Sequence, residues 1–177
     1  MLATIDYDRE RALEYTRRWA FSRNPLFENY TGIGGDCTNF VSQAIYAGSC
    51  VMNYTPTFGW YYISATDRAP AWTGVEYFYD FMTTNEGIGP YAIETGAGGL
   101  LVGDVIQLAR RENGTEVYYH SLFVSGAAEG VYLVAAHSDD AFDRPLTEYR
   151  YDVARYLHIV GVRIALPDIY APRCLVG

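Results

Sequence analysis

Residues 34–48 read GGDCTNFVSQAIYAG and place a cysteine where a helix is about to begin. Asp36 is of a residue type that often precedes helices, and apolar residues then recur at helical spacing. The recurring positions are Cys37, Phe40, Val41, Ala44, Ile45 and Gly48. The stretch therefore predicts a helix that starts at Cys37. Cys37 either opens the buried face of this helix or stands there as a nucleophile, and the stretch alone leaves both interpretations open.

Further helices are predicted on both sides of this stretch. Residues 6–23 show apolar positions at helical spacing, and Asn24-Pro25 ends that pattern. Residues 55–74 form a long polar and aromatic loop, a kind of segment that often carries function. A third helix is predicted over residues 75–85.

The second half of the chain changes to the two-residue alternation of strands. The predicted strands span residues 103–110, 116–126, 131–139 and 156–164, and turn-forming residues separate them. Helices followed by antiparallel strands are typical of an α+β fold in which N-terminal helices pack on a C-terminal sheet. The length fits a single domain, residues 1–177.

Strand alternation brings two histidines together in the predicted sheet. The pairing that matches apolar residues sets Val124 opposite Leu133. The same register sets His120 opposite His137, with Asp139 one step away on the diagonal. This face is apolar and should meet the helices, so both histidines would turn toward the cysteine at the helix start. A structural role is the commoner explanation for any one buried histidine, but two of them facing a cysteine favour a Cys–His pair.

The position of Cys37 also favours a reactive thiol. A helix N-terminus stabilises negative charge and a neighbouring imidazolium does the same, so both lower the pKa of a cysteine. The carboxylate of Asp36 would oppose this effect unless its side chain turns back to cap the helix, as we expect.

Composition argues against several classes of partner. The net charge of −8, without a cluster of Lys or Arg, disfavours nucleic acid and anionic membranes. No apolar run is long enough for membrane insertion. The N-terminal residues lack the layout of a signal peptide, so we expect the chain to carry none, and its location stays unassigned: cytoplasmic if the chain is not part of an exported protein. A place outside the cell or at the cell wall would follow if the chain were part of a longer exported protein.

The three cysteines, Cys37, Cys50 and Cys174, are too few and too scattered for a disulfide framework. An odd count leaves at least one free thiol. A Cys50–Cys174 bridge is possible, and the sequence leaves it open. No CxxC or HxxxH spacing occurs, so no zinc site is expected, and nothing in the sequence calls for another metal or an organic cofactor.

Three segments together resemble a known family. They are residues 34–48, YYHSLFVSG at residues 118–126 and LVAAHSDD at residues 133–140. The chain resembles the putative amidase domain family of Gram-positive bacteria and is similar to the wider papain-like group that includes the NlpC/P60 and CHAP cell-wall peptidases. The resemblance extends over residues 5–164. It implies a papain-like, NlpC/P60-type fold and a cysteine-dependent amidase.

The resemblance also implies a role for each residue of the site. Cys37 matches the nucleophile, and His120 matches the general base. The third member, which orients the imidazole, matches His137 by position, and we favour it over the alternative, Asp139. Papain uses an upstream glutamine for the oxyanion, and no glutamine precedes Cys37 here, so the second oxyanion donor stays unassigned.

Seventeen tyrosines are the oddity of the composition. Tyrosine offers flat apolar area with a polar tip, which suits peptide or sugar binding and equally suits an aromatic core. In the long loop, Trp60, Tyr61 and Trp72 either wall the substrate cleft or pack the loop down. Tyr30 loosely matches a tyrosine that precedes the nucleophile in NlpC/P60 proteins and is a further candidate for substrate binding.

Together these features predict a cysteine-dependent amidohydrolase or peptidase that acts through a thioester on peptidoglycan peptide or a related cell-wall amide. A transferase that uses the same Cys–His pair is the alternative within enzymes. A non-catalytic module that binds peptide or cell wall is the alternative outside them. The intact pair of Cys37 and His120 argues against such a module, which needs neither residue.

Overall fold

Four α-helices and a seven-stranded antiparallel sheet dominate this computed structural model, which describes residues 1–166 and Cys174. The helices are α1 (Arg9–Trp19), α2 (Cys37–Ser49), α3 (Pro70–Thr73) and α4 (Val75–Thr84). The strands are β1 (Leu2–Ile5), β2 (Tyr62–Ser64), β3 (Asp67–Arg68), β4 (Gly89–Thr95), β5 (Val105–Glu112), β6 (Thr115–Ala128), β7 (Val131–Ala136), β8 (Ala141–Pro145) and β9 (Val153–Ala165). None of the described helices is long and apolar enough to cross a membrane.

The large sheet has the strand order β1-β9-β5-β6-β7-β8, and β4 also pairs with β9. All of these pairs are antiparallel. Strands β2 and β3 form a separate small hairpin inside the loop predicted over residues 55–74. The helices pack on the sheet, so the predicted α+β class is confirmed. Strands β1, β4 and β8 were not predicted.

Local chemistry sets the ends of the first two helices. The side chain of Asp8 caps α1 by accepting a hydrogen bond from the Arg11 backbone N–H at 2.9 Å. Helix α2 begins at Cys37, as predicted, and ends at Ser49; the next residue, Cys50, has a left-handed backbone with a φ of 54°. Gly48 allows the two helices to approach, because a Cβ atom there would lie 2.6 Å from the carbonyl oxygen of Asp8.

Side chains of the central strands alternate between two apolar clusters. The larger cluster lies between the sheet and the helices, and it includes Phe40 of α2 and Phe123 of β6. The smaller cluster lies on the opposite face of the sheet and includes Leu122 and Val124. The middle of β6 is therefore buried on both faces.

The register between β6 and β7 differs from the predicted one. Val124 pairs with Val134 and not with Leu133. The same shift separates His120 from His137, so the predicted juxtaposition of the two histidines is wrong. Because both faces of β6 are apolar, matching of apolar residues could not distinguish the two registers. An irregularity just beyond Val124 shifts the remaining pairs again.

A disulfide joins Cys50 to Cys174, the bridge that the sequence left open. It ties the C-terminal end of α2 to a residue 124 positions later in the chain. Cys37 is then the free cysteine.

Candidate active site

A cleft of about 460 Å³ opens beside the N-terminus of α2. Cys37, His120 and Asp139 all line it, so the structure brings three of the four residues predicted for catalysis into one space. The other walls come from the loop before α2, the start of α4, the β5–β6 hairpin and the segment that contains β8.

The thiol of Cys37 is buried at the first residue of α2, with 6% of the residue exposed. Burial raises the pKa of this thiol, while hydrogen bonds from Ser121, from Thr38 and from its own backbone N–H act in the opposite direction. Burial has the larger effect, so the pKa lies above its ordinary value. This is opposite to the direction expected from the helix N-terminus and a neighbouring imidazolium. At neutral pH the resting sulfur is therefore protonated.

His120 lies on β6, and its imidazole ring is close to the ring of Tyr149, with 5.9 Å between centroids. Burial lowers the pKa of His120 to about 4; the Asp139 carboxylate opposes this and the Arg144 guanidinium adds to it. The imidazole is therefore neutral at pH 7 and able to accept a proton.

Asp139 is exposed at the rim of the cleft, just after β7. Its Oδ2 atom accepts a hydrogen bond from Nη1 of Arg144 at 2.5 Å, and the same guanidinium lies 3.9 Å from Glu148. This carboxylate opposes the effect of burial and so acts to raise the pKa of His120. Of the two candidates for the third catalytic residue, Asp139 is thus the one that lines the same cleft as His120.

His137 occupies a different environment and does not line the cleft. Its ring is buried and stacks on Phe40, with 3.8 Å between centroids. Nδ1 lies 2.7 Å from Oδ2 of Asp36, and Nε2 lies 2.8 Å from the carbonyl oxygen of Trp19. Both ring nitrogens are engaged by residues that do not line the cleft, so the orienting role expected for His137 is not supported by its position.

The side chain of Asp36 does not cap α2, contrary to expectation. It is fully buried and accepts hydrogen bonds from the Tyr30 backbone, the Asn39 amide and His137, at 3.0, 2.7 and 2.7 Å. Burial acts to raise the pKa of Asp36, but these hydrogen bonds outweigh burial and the pKa is lowered. The carboxylate is charged, and its partners turn it toward His137 and not toward the sulfur of Cys37.

Two of the aromatic residues expected to contact substrate belong to the core. Trp60 and Trp72 are fully buried, and neither lines the cleft. Their indole N–H groups donate to Ser42 at 3.0 Å and to Asn39 at 2.9 Å, both on α2. The structure therefore gives them a packing role: they hold the long loop against α2.

The other two aromatic candidates also lie outside the cleft lining. The hydroxyl of Tyr30 donates to the carbonyl oxygen of Ala65 at 3.3 Å, and the Arg68 guanidinium lies over its ring. Tyr61 is half-buried and packs on Tyr54, with 5.5 Å between centroids. These contacts do not support a substrate-binding role for either tyrosine.

The sequence did not point to the three arginines that line the cleft, Arg110, Arg144 and Arg150. Arg110 ends the predicted strand 103–110, two residues after Leu108, the residue that pairs with His120. Its place near the histidine could have been found from that pairing, had the register been known. Arg144 lies on β8, which was not predicted, so no signal in the sequence placed it.

Comparison with known proteins assigns the chain to a family. A family model described as "Putative amidase domain" matches residues 6–160. The "Uncharacterized protein YhbB" of Bacillus subtilis (strain 168) is 31% identical over 105 residues, which are 58% of this chain and 32% of that protein. The chain thus spans about a third of the length of this relative. No solved structure matches. Because the family model covers most of the chain, the protein belongs to the putative amidase domain family.

Proposed function

We propose that this protein is a cysteine amidase in which Cys37 is the nucleophile and His120 the general base. Membership of the family supports amide hydrolysis as the class of reaction. One observation carries the cysteine mechanism: the free thiol at the start of α2 and a neutral imidazole line the same cleft.

The reaction proceeds in two halves. As the sulfur of Cys37 bonds to the carbonyl carbon, its proton passes to the imidazole of His120. The imidazolium gives this proton to the leaving amine as the C–N bond breaks, and a thioester remains on Cys37. His120 then takes a proton from water, and the hydroxide attacks the thioester. The carboxylic acid leaves, and the proton returns to the thiolate.

The electrostatics of the cleft suit a pair that is neutral at rest. The raised pKa of Cys37 and the lowered pKa of His120 both favour the uncharged thiol and imidazole. Proton transfer then accompanies attack, and His120 serves as a base at neutral pH. The backbone N–H of Cys37, at the positive end of the helix dipole of α2, is the donor we propose for the oxyanion.

Asp139 is the residue that we propose to orient His120, in preference to His137. Its carboxylate raises the pKa of His120, which means that it attracts the protonated ring more strongly than the neutral one. The attraction therefore grows as His120 accepts the proton from Cys37. The ring of His137 has both nitrogens engaged by Asp36 and Trp19 and cannot take this part without leaving them.

The papain-like fold and the cell-wall substrate belong to the same proposal. A buried cysteine at a helix start, packed against an antiparallel strand that carries a histidine, supports that fold. The three segments that resemble cell-wall peptidases support a peptide amide of peptidoglycan as the substrate. The net charge of −8 supports a partner other than nucleic acid or membrane.

Turnover and trapping of the thioester test the mechanism. Wild type, Cys37→Ser and His120→Gln are incubated with soluble peptidoglycan fragments and with acetylated peptides, and new amines are counted by mass spectrometry. Wild type should release amines, and each variant should lose at least about a hundredfold in rate. Acid quenching of wild type should reveal the added mass of the acyl group on the peptide that contains Cys37.

The double variant Cys50→Ser/Cys174→Ser is the matched control, because it removes the other two sulfurs without touching the cleft. It should keep its turnover under conditions where it stays folded. Equal turnover by Cys37→Ser and wild type would overturn the cysteine mechanism. Binding of fragments without any turnover would favour the binding module, and transfer of the acyl group to an added amine in place of water would favour the transferase.

A further inference from the structure

Two guanidinium groups at one end of the cleft are left without acidic partners. Arg110 and Arg150 line both the main cleft and an adjoining cavity of about 440 Å³. Both residues are exposed. Neither forms a salt bridge with any carboxylate in residues 1–166, whereas Arg144, the third arginine of the cleft, forms two.

The carboxylates that surround these two arginines are already engaged by other donors. Asp139 and Glu148 both lie against Arg144, at 2.5 and 3.9 Å. Asp152, which lines the adjoining cavity, accepts a hydrogen bond from the backbone N–H of Arg111 at 2.8 Å. These three carboxylates balance the three arginines in charge, but none of them forms a salt bridge with Arg110 or Arg150, so within residues 1–166 the guanidinium donors of these two residues stay available to a ligand.

Tyr119 contacts Arg110 through its guanidinium and Arg150 through its backbone. The guanidinium of Arg110 lies over its ring, 5.0 Å from the centroid. The hydroxyl of Tyr119 donates to the backbone carbonyl oxygen of Arg150 at 2.9 Å. His120, the next residue along β6, lines the same cleft, so this end lies next to the proposed general base.

We propose that Arg110 and Arg150 form a carboxylate-binding subsite and that the substrates of this protein carry a free carboxylate near the amide that is cleaved. The proposal rests on the amidase function, because it takes the cleft of Cys37 and His120 as the place of reaction. A guanidinium group binds a carboxylate through paired, charge-assisted hydrogen bonds, and two such residues line this cleft. An amide group in place of the carboxylate would lose the charge and half of the acceptors.

Peptide binding to a protein that cannot turn over tests the subsite. In the Cys37→Ser background, affinities are measured by calorimetry for pairs of peptides of the same sequence. The members of a pair differ only in a C-terminal carboxylate or carboxamide, or in Glu or Gln at one internal position. The acidic member of at least one pair should bind about tenfold more tightly. Adding Arg110→Gln and Arg150→Gln together should reduce this preference to within about twofold.

Arg111→Gln is the matched control. Arg111 follows Arg110 on β5, lines neither cavity and lies 4.0 Å from Glu116. Its replacement by glutamine therefore removes one positive charge from the same strand but outside the subsite. The acid preference should survive this change. The proposal is overturned if no pair shows a preference, if no peptide binds, or if the preference persists in the variant that lacks both Arg110 and Arg150.

The two proposals fail in different ways. If turnover depends on Cys37 but acid and amide peptides bind and react equally, the amidase function stands and the proposal of a carboxylate subsite is rejected. If turnover does not depend on Cys37, the amidase mechanism fails, and the acid preference measured in the Cys37→Ser protein still reports on Arg110 and Arg150.

Discussion

Nδ1 of His137 lies 2.7 Å from Oδ2 of Asp36, the residue that immediately precedes Cys37. This contact joins the turn after β7 to the start of α2 across 101 positions of sequence. Nε of Arg23 lies 3.2 Å from the same carboxylate oxygen, and the guanidinium also binds Asp140 at 2.9 Å. Two basic side chains and two carboxylates thus fix where α2 begins, and with it the position of the sulfur.

Replacing His137 by alanine should destabilise the fold. The buried carboxylate of Asp36 would lose one hydrogen bond, and Phe40 would lose the ring that stacks on it. Because Arg23, Asn39 and Tyr30 remain as partners, we expect a loss of about 2–4 kcal/mol in the free energy of unfolding, measured by urea denaturation. The folded protein should keep its turnover within about tenfold. Unchanged stability with lost turnover would return His137 to a catalytic role.

Replacing Asp139 by asparagine should lower turnover and leave stability nearly unchanged, the opposite of the result expected for His137→Ala. Its carboxylate is exposed and bound to Arg144, so the free energy of unfolding should change by less than about 0.5 kcal/mol. Turnover should fall about ten- to a hundredfold, because the protonated His120 loses a negative neighbour. Asp139→Glu should restore part of the rate. Asp80→Asn, on the exposed side of α4, is the control, and an equal effect of both asparagine variants on the rate would exclude an orienting role for Asp139.

The helix that begins at Cys37 was predictable because its apolar residues recur at helical spacing and the preceding residue is a typical helix opener. The register of β6 was not, because Phe123 packs toward the helices while Leu122 packs on the other face. A strand that is buried on both sides lacks the alternation that fixes register. Strand β8, with Asp143 and Arg144 inside it, carries no apolar alternation at all.

The site was predictable where a residue's own surroundings in sequence define it. Cys37 and His120 were found from a helix start and from a strand, and both line the cleft. The role of His137 depends on Asp36, which is distant in the chain, so sequence spacing could not reveal the contact. Likewise, the packing of Trp60 depends on α2, where its indole N–H donates a hydrogen bond to Ser42. No local sequence pattern predicts this contact.

The pH dependence of alkylation should reveal a neutral resting pair. Since burial raises the pKa of Cys37, iodoacetamide should label it more slowly at pH 7 than it labels the same cysteine in urea, and the rate should climb as the pH rises toward the raised pKa. The intact disulfide leaves one thiol to label in unreduced protein, so intact mass gives the rate directly. Rapid labelling below pH 7 that disappears in His120→Gln would show instead a thiolate–imidazolium pair at rest.

Stability should also depend on pH through His120. Burial lowers the pKa of this imidazole from 6.5 to about 4 in the folded protein. Between these values the unfolded chain binds a proton that the folded chain does not, so stability falls as the pH drops through this window and is fully present above pH 6.5. The shift corresponds to a loss of about 3 kcal/mol at the acid end. Urea denaturation of wild type and His120→Gln at several pH values measures it, and parallel curves for the two proteins would contradict the assignment.

Reduction of the disulfide should destabilise the protein without touching the cleft. Cross-linking Cys50 to Cys174 restricts the unfolded chain over a sequence separation of 124 residues, and bridges of this kind contribute roughly 2–4 kcal/mol. Dithiothreitol should lower the free energy of unfolding of wild type by this amount, and Cys174→Ser should show the same loss with or without the reductant. Cys37→Ser should respond to dithiothreitol as wild type does, because its sulfur is not part of the bridge. A wild-type protein whose stability is indifferent to dithiothreitol would show that the bridge does not form in solution or does not constrain the chain.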